Sequence, residues 1–70
     1  MKTLSSRFAA NLRSLRETRR LTQQELAARA KISVSYVSML ERGQRSPPLD
    51  TLEHVARALH VRPTALLQKL

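Results

Sequence analysis

The sequence predicts an all-α fold, a compact bundle of five short helices. Ala, Leu and Arg are abundant, whereas the 70 residues include one Gly and three Pro, a composition that favours helix. Apolar residues recur at spacings of three and four, and no alternating pattern typical of strands appears. Because so short a chain can bury only one small core, we predict a single domain over residues 1–70.

The first predicted helix spans about residues 4–19. Leu4, Phe8, Leu12 and Leu15 recur at intervals of four, four and three, which places them on one helix face. One of the two serines after Leu4 is expected to cap its start.

Capping residues bound the second predicted helix. Thr22, followed three residues later by Glu25, is typical of a capping box, in which each side chain accepts the other residue's backbone N–H. The helix must end near Ala30, because Ser33 is already the next N-cap candidate.

The third predicted helix follows Ser33 and turns Val37 and Leu40 towards the core. It ends at Gly43, the only glycine in the chain, where a residue with positive φ is commonly needed. Two successive prolines then exclude helix from the loop that follows.

The fourth predicted helix has an ambiguous start. Either Asp50 and Glu53 form a second capping box, or Pro48 occupies the first turn. A fifth short helix would begin with Pro63 at its first position. The apolar stripe of the fourth helix consists of Leu52, Val55, Ala56 and Leu59.

The charge balance indicates a polyanionic partner. The chain has 13 Lys and Arg residues against 5 Asp and Glu, a formal net charge of +8. A field of this sign favours nucleic acid or an anionic membrane surface, and the predominance of arginine suits phosphate contact. Without cysteine, the chain has neither a disulfide framework nor a cysteine-based zinc site.

Other classes of function find little support. No apolar run approaches the roughly 20 residues of a membrane span, and the amino-terminal segment does not resemble a secretory signal, so we expect a cytoplasmic, nucleoid-associated protein. His54 and His60 lie six residues apart with no cysteine to join them. We therefore expect no enzymatic activity, catalytic residue, metal ion or cofactor.

The second and third helices are separated by two or three residues and must cross steeply, the helix-turn-helix arrangement at about residues 22–42. This part of the chain closely resembles the lambda-repressor-like (XRE, Cro-type) DNA-binding family. The resemblance rests on Leu-Thr-Gln-Gln-Glu-Leu-Ala at 21–27, Leu-Glu-Arg-Gly at 40–43 and the leucine pattern after Pro47. Many members have glycine where Lys31 stands, so the turn is either mildly strained or differently shaped.

The resemblance implies a sequence-specific transcriptional regulator, a repressor or controller. It would bind palindromic operator DNA as a homodimer, with the third helix in the major groove. Val34 and Met39 suit thymine methyl groups, although Val34 could also be a half-buried core residue and Met39 an idle or dimer-contacting side chain. The residues expected to contact bases are Val34, Ser35, Ser38 and Met39.

Phosphate contacts are expected around this helix. The resemblance implies that Gln23 contacts a phosphate and braces a side chain of the third helix. Arg45 lies in the loop expected to run beside the DNA backbone, and its alternative is a solvated loop charge. The residues expected to contact the DNA backbone are Gln23, Ser33, Tyr36, Arg42, Gln44 and Arg45.

Two further predictions concern structure and assembly. The family pattern implies an ion pair between Arg16 and Glu41, which we interpret as structural. Leu66, Leu67 and Leu70 exceed what five small helices must bury, so we predict that they form a dimer interface. The alternative is that they close the core of the monomer.

Two other functions stay open on sequence alone. Related folds serve as antitoxins that bind a toxin and repress their own operon, and a protein partner, whether a toxin or a polymerase, is unidentified. A basic amphipathic membrane-surface protein is the weaker alternative, because such a protein has no need of capped helices and a glycine-terminated turn.

Overall fold

Four α-helices and one 3₁₀ turn form the secondary structure of the computed structural model, which describes residues 3–69. The predicted all-α class is confirmed. The predicted fifth helix is instead a single 3₁₀ turn of four residues, a length typical of that conformation. The elements are α1 (Leu4–Thr18), α2 (Gln23–Ala30), α3 (Val34–Glu41), α4 (Leu49–Ala58) and the 3₁₀ turn Pro63–Leu66.

Thr3 caps α1, so the predicted serine cap is wrong. The Thr3 hydroxyl accepts the N–H of Ser6 at 3.1 Å, and the Ser6 hydroxyl accepts the N–H of Thr3 at 3.0 Å. This is a capping box with serine in place of the usual Glu or Gln. Leu4 is 57% exposed, so it does not belong to the buried stripe that Phe8 and Leu12 form further along α1.

The capping predictions for α2 and α3 are confirmed. The Thr22 hydroxyl accepts the N–H of Glu25 at 3.0 Å, and the Glu25 carboxylate accepts the N–H of Thr22 at 2.8 Å. The Ser33 hydroxyl accepts the N–H of Tyr36 at 3.0 Å. Each of these helices therefore begins where a local sequence signal sets it.

α4 begins without a side-chain cap. Pro48 is the N-cap residue, and Asp50 already lies inside the helix. The predicted capping box of Asp50 with Glu53 is therefore wrong, and the alternative with proline at the helix start is close to the structure. The predicted apolar stripe is confirmed, since its four members are all buried: Leu52, Val55, Ala56 and Leu59.

A left-handed residue follows each of the four α-helices within two residues. After α3, the N–H of Gly43 donates to the Leu40 carbonyl at 3.1 Å, and the N–H of Gln44 donates to the Met39 carbonyl at 3.0 Å. This pair of bonds is a Schellman motif, and the same pattern follows α1, α2 and α4. The left-handed residues are Arg20 (φ 57°), Lys31 (φ 60°), Gly43 (φ 72°) and His60 (φ 58°).

The core lies among the four α-helices and the 3₁₀ turn. α2 packs against α3 and α4, while α1 packs against α3 and the 3₁₀ turn. Leu66, in that turn, is fully buried. The largest fully buried side chains are Phe8, Leu12, Leu26, Leu40, Leu59, Leu66, Val37 and Val55.

Asn11 is a buried polar residue that the sequence did not single out. It is 2% exposed. Its side-chain amide donates to the carbonyl of Leu66 at 2.9 Å and to that of Gln68 at 2.8 Å. These two bonds satisfy the buried amide and attach the 3₁₀ turn to α1.

Candidate nucleic-acid interface

The turn between α2 and α3 sets the angle between the two helices. Lys31 is left-handed, and the N–H of Ile32 donates to the Ala27 carbonyl at 3.0 Å. Ile32 is half-buried against the core, and Ser33 then opens α3. Of the two alternatives for this turn, a strained lysine in the usual left-handed conformation is the one the structure adopts.

Burial fixes the rotation of α3 about its own axis. Val37 and Leu40 are fully buried, as predicted. Val34 is 40% exposed and Ser35 is exposed, whereas Ser38 and Met39 are half-buried. The N-terminal half of the helix is therefore its most accessible part.

The capping hydroxyl of Ser33 and the ring of Tyr36 flank this exposed half. The Ser33 oxygen accepts the N–H of Tyr36, so the hydroxyl hydrogen of Ser33 is free to donate elsewhere. Tyr36 is half-buried and packs against the core cluster. The first N–H groups of α3 carry partial positive charge on the same side.

Arg16, Glu41 and Gln23 form one hydrogen-bonded network across three helices. Arg16 Nε donates to Glu41 Oε2 at 2.6 Å, and Arg16 Nη2 donates to Glu41 Oε1 at 3.0 Å. Gln23 Nε2 donates to Glu41 Oε1 at 3.1 Å. The side chains of Arg16 and Glu41 are 13% and 4% exposed, so this is a buried, bidentate ion pair.

The network positions the segment before α2 and the side chain of Gln23. Arg16 Nη1 also donates to the carbonyl of Leu21 at 2.8 Å, which ties the segment before α2 to α1. The hydrogen bond to Glu41 raises the pKa of Arg16 above its ordinary value, although burial opposes the shift. Gln23 is held by one amide hydrogen, so its second amide hydrogen can still donate.

The loop after α3 gathers three predicted backbone-contacting residues. Arg42 Nη2 donates to Gln44 Oε1 at 3.2 Å, which leaves the amide group of Gln44 free to donate. Arg45 is exposed beside them. The hydroxyls of Ser5 and Ser46 are hydrogen-bonded to each other, which attaches the loop to α1.

Comparison with known proteins identifies the fold. A helix-turn-helix family model matches residues 12–66, which is most of the chain. The chain belongs to the helix-turn-helix family. The predicted resemblance to lambda-repressor-like proteins is thereby confirmed, with α2 and α3 as the helix-turn-helix motif. The members compared below are named as gene regulators, repressors or controllers, and the family is not one of enzymes.

Three relatives illustrate the helix-turn-helix match. The immunity repressor protein of Bacillus phage phi105 is 41% identical over 56 residues, which are 80% of this chain and 39% of that protein. The restriction-modification controller protein C.AhdI from Aeromonas hydrophila is 38% identical with a TM-score of 0.85, over 87% of this chain and 92% of C.AhdI. The clp gene regulator ClgR from C. glutamicum is 33% identical with a TM-score of 0.89, over 96% of this chain and 87% of ClgR.

The chain spans 30% to 39% of the length of the first curated helix-turn-helix regulators that it matches. Membership implies DNA binding through the motif. Within residues 3–69, no helix is long and apolar enough to cross a membrane.

The predicted leucine interface needs correction. Leu66 is fully buried in the core of the helix-turn-helix fold, so a partner cannot reach its side chain. Leu67 is half-buried, and Leu70 lies outside the described residues. The alternative in which this leucine cluster closes the monomer core holds for Leu66.

Proposed function

We propose that residues 1–70 act as a DNA-binding domain that recognises an operator sequence and regulates transcription as a repressor or controller. The observation that carries this proposal is the fixed orientation of α3. Its buried residues and the Arg16–Glu41–Gln23 network hold the helix so that Val34 and Ser35 project from its N-terminal half. An exposed helix face in this position is suited to the major groove.

Four side chains of α3 without a formal charge are proposed to contact the bases. Val34, Ser35, Ser38 and Met39 offer methyl, hydroxyl and thioether groups. Hydroxyls accept either type of base pair, and apolar groups favour the thymine methyl. None of the four can form a bidentate pair with guanine or adenine, so DNA shape is expected to contribute to specificity.

Affinity comes from the phosphate-contacting residues around α3. Gln23 and Gln44 each keep free amide hydrogens, and Arg45 is an exposed cation. Ser33, Tyr36 and Arg42 complete the proposed set. Because each neutralised phosphate releases counterions, we expect affinity to fall steeply with salt.

We further propose that the chain binds a palindromic site as a homodimer, because two-fold symmetry in the protein matches two-fold symmetry in the operator. Of the predicted interface residues that lie within residues 3–69, Leu67 is partly accessible. Sedimentation of the chain and of Leu67→Ser over a range of concentrations tests this. Identical monomer curves for the two proteins would remove Leu67 from the proposal.

The similarity to C.AhdI, a restriction-modification controller that the chain matches over 92% of its length, supports a controller role beside the repressor role. The phage repressor relative supports the latter. The genes adjacent to this one decide between them: a restriction enzyme favours the controller, and a lysogeny cluster favours the repressor.

Selection from random DNA, followed by footprinting at several salt concentrations, tests the DNA-binding proposal. We expect a palindromic consensus whose binding weakens steeply as salt rises. Ser14→Ala removes an exposed hydroxyl from α1 and serves as the control for a Ser35→Ala variant. Ser14→Ala should select the wild-type consensus. Equal affinity for every sequence would contradict sequence-specific recognition.

A further inference from the structure

A concave surface lies between the C-terminal ends of α2 and α4, outside the residues assigned to DNA. This basic cleft has a volume of about 410 Å³, within the range of roughly 300 to 1,000 Å³ typical of small-molecule sites. The described lining contains no Asp or Glu. Its basic and imidazole side chains are Arg29, Lys31, His54, Arg57 and His60.

The cations of the basic cleft have no acidic partner among residues 3–69. The ion pairs in that part of the chain join Arg13 to Glu17 and Arg16 to Glu41. Glu25 lies one helical turn before Arg29, whose charge contributes, after the hydrogen bonds from Thr22, to the lowered pKa of Glu25, although Glu25 and Arg29 do not form an ion pair. Glu53 precedes Arg57 by the same spacing on α4, again without an ion pair. Positive charge therefore accumulates where two helices end.

Helix polarity does not account for this charge. Basic residues commonly offset the partial negative charge at helix C-termini, which is about half a unit per helix. Two of the last carbonyls of α2 are bonded, since the N–H groups of Lys31 and Ile32 donate to Ala28 and Ala27 at 3.4 and 3.0 Å, and the residues after α4 make equivalent bonds. The three full charges of Arg29, Lys31 and Arg57 exceed the partial negative charge of two helix ends, so they leave an excess of positive charge.

We propose that the basic cleft binds a compact polyanion with two or more phosphate groups. The guanidinium groups of Arg29 and Arg57 would bind phosphate oxygens bidentately, and Lys31 would add a third cation. The concave shape and small volume favour a small ligand over a DNA strand. The cleft also lies at the opposite end of α2 from Gln23, about 10 Å along the helix. This site is independent of the proposed operator binding.

Calorimetric titration with inorganic pyrophosphate, without DNA and at constant ionic strength, tests the proposal. Wild type is expected to bind pyrophosphate more tightly than orthophosphate. The double variant Arg29→Gln/Arg57→Gln is expected to bind roughly 100-fold more weakly. The control Arg19→Gln/Arg62→Gln removes the same charge from exposed positions elsewhere and should bind as wild type does. Melting curves establish that both variants fold.

Three outcomes would overturn the proposal: no binding by wild type, equal weakening in both double variants, or amide shifts on titration that fall outside residues 29–31 and 54–60. A DNA titration tests the remaining possibility, which is that the basic cleft contacts DNA phosphates. If the cleft contacts DNA phosphates, Arg29→Gln/Arg57→Gln should reduce the slope of log affinity against log salt by about 2, which would also overturn the small-ligand proposal. An unchanged slope supports it.

Discussion

Arg16 carries a charge that the fold buries together with its partner. Replacing it with alanine leaves Glu41, whose side chain is 4% exposed, without its cation. Breaking such a pair typically destabilises by about 3 kcal/mol or more. We expect Arg16→Ala to lower the free energy of unfolding by that amount in urea titrations.

Arg13 provides a matched control on the same helix. It pairs with Glu17 at 3.3 Å, but the two side chains are 66% and 55% exposed. Exposed pairs of this spacing contribute roughly 0.3 to 0.5 kcal/mol, so Arg13→Ala should be nearly neutral. Equal melting temperatures for the two alanine variants would contradict a structural role for Arg16.

Glu25 makes the stability of α2 depend on pH. The N–H of Thr22, and then its hydroxyl, lower the pKa of the Glu25 carboxyl. A carboxyl with a lower pKa in the folded state stabilises fully above its unfolded pKa of about 4.3, and the contribution is lost as pH falls through the folded value.

The variant Glu25→Ala tests this coupling. Its melting temperature should lie below that of wild type at pH 7, because the α2 cap is lost. The difference should shrink as the pH is lowered below about 4. A difference that stays constant from pH 7 to pH 2.5 would show that the charge of Glu25 is not responsible.

At the scale of the element, the left-handed residues after the helices are positions where a substitution can raise the free energy of unfolding. Lys31 is left-handed at φ 60°, a conformation that glycine adopts without the Cβ penalty of about 1 kcal/mol. Lys31→Gly should therefore raise the free energy of unfolding by up to about 1 kcal/mol, less the extra freedom that glycine has in the unfolded chain. Chemical denaturation measures the change.

The reverse substitution, from glycine to a residue with a Cβ, can be made at Gly43. An added Cβ there would lie 3.9 Å from the Cβ of Ala9, so space is not limiting. Gly43→Ala should still destabilise by about 1 kcal/mol because of its positive φ. If Lys31→Gly and Gly43→Ala changed stability in the same direction, backbone conformation would not be the cause.

α3 is the element on which operator choice should depend. Ser35→Ala or Val34→Ala should change the selected DNA consensus, because both side chains project from the accessible half of the helix. Arg45→Gln should instead weaken binding to all sequences and reduce the salt slope by about 1. An unchanged consensus in both α3 variants would direct attention to Arg42.

At the scale of the whole molecule, the sequence predicted what local chemistry decides. Thr22 with Glu25, Ser33 and Gly43 act on backbone groups within a few residues, and the structure confirms each. The motif residues around them also identified the family. The Arg16–Glu41 pair was reached through family resemblance, since nothing in the spacing of 25 residues indicates it.

Predictions that depended on neighbours distant in sequence were less successful. Leu4 has the right helical spacing but meets no buried surface, and Leu66 is covered because α1 and the 3₁₀ turn come together. Asn11 reads as an interruption of an apolar face, although its partners lie 55 and 57 residues away. Only the assembled fold shows which apolar positions are covered and which polar ones are paired.

Replacing Asn11 tests how strongly its hydrogen bonds attach the 3₁₀ turn to α1. Asn11→Ala leaves the buried carbonyl of Leu66 without the side-chain donor it has now, and an unsatisfied buried polar group costs about 1 to 3 kcal/mol. We expect that loss in urea titrations, together with faster hydrogen exchange in residues 63–68. Unchanged exchange there would show that the turn is held by apolar packing alone.

The division of labour within α3 has a consequence for how such a protein evolves. Val37 and Leu40 keep the helix in place, while Val34 and Ser35, the exposed residues proposed to contact bases, are small and contribute little to the core. Surface substitutions away from packed features usually change stability by less than about 0.5 kcal/mol. If residues 34 and 35 contact bases as proposed, single mutations there would change operator preference without a loss of folding, and duplicated copies of this gene would diverge in the sites they control while sharing one scaffold.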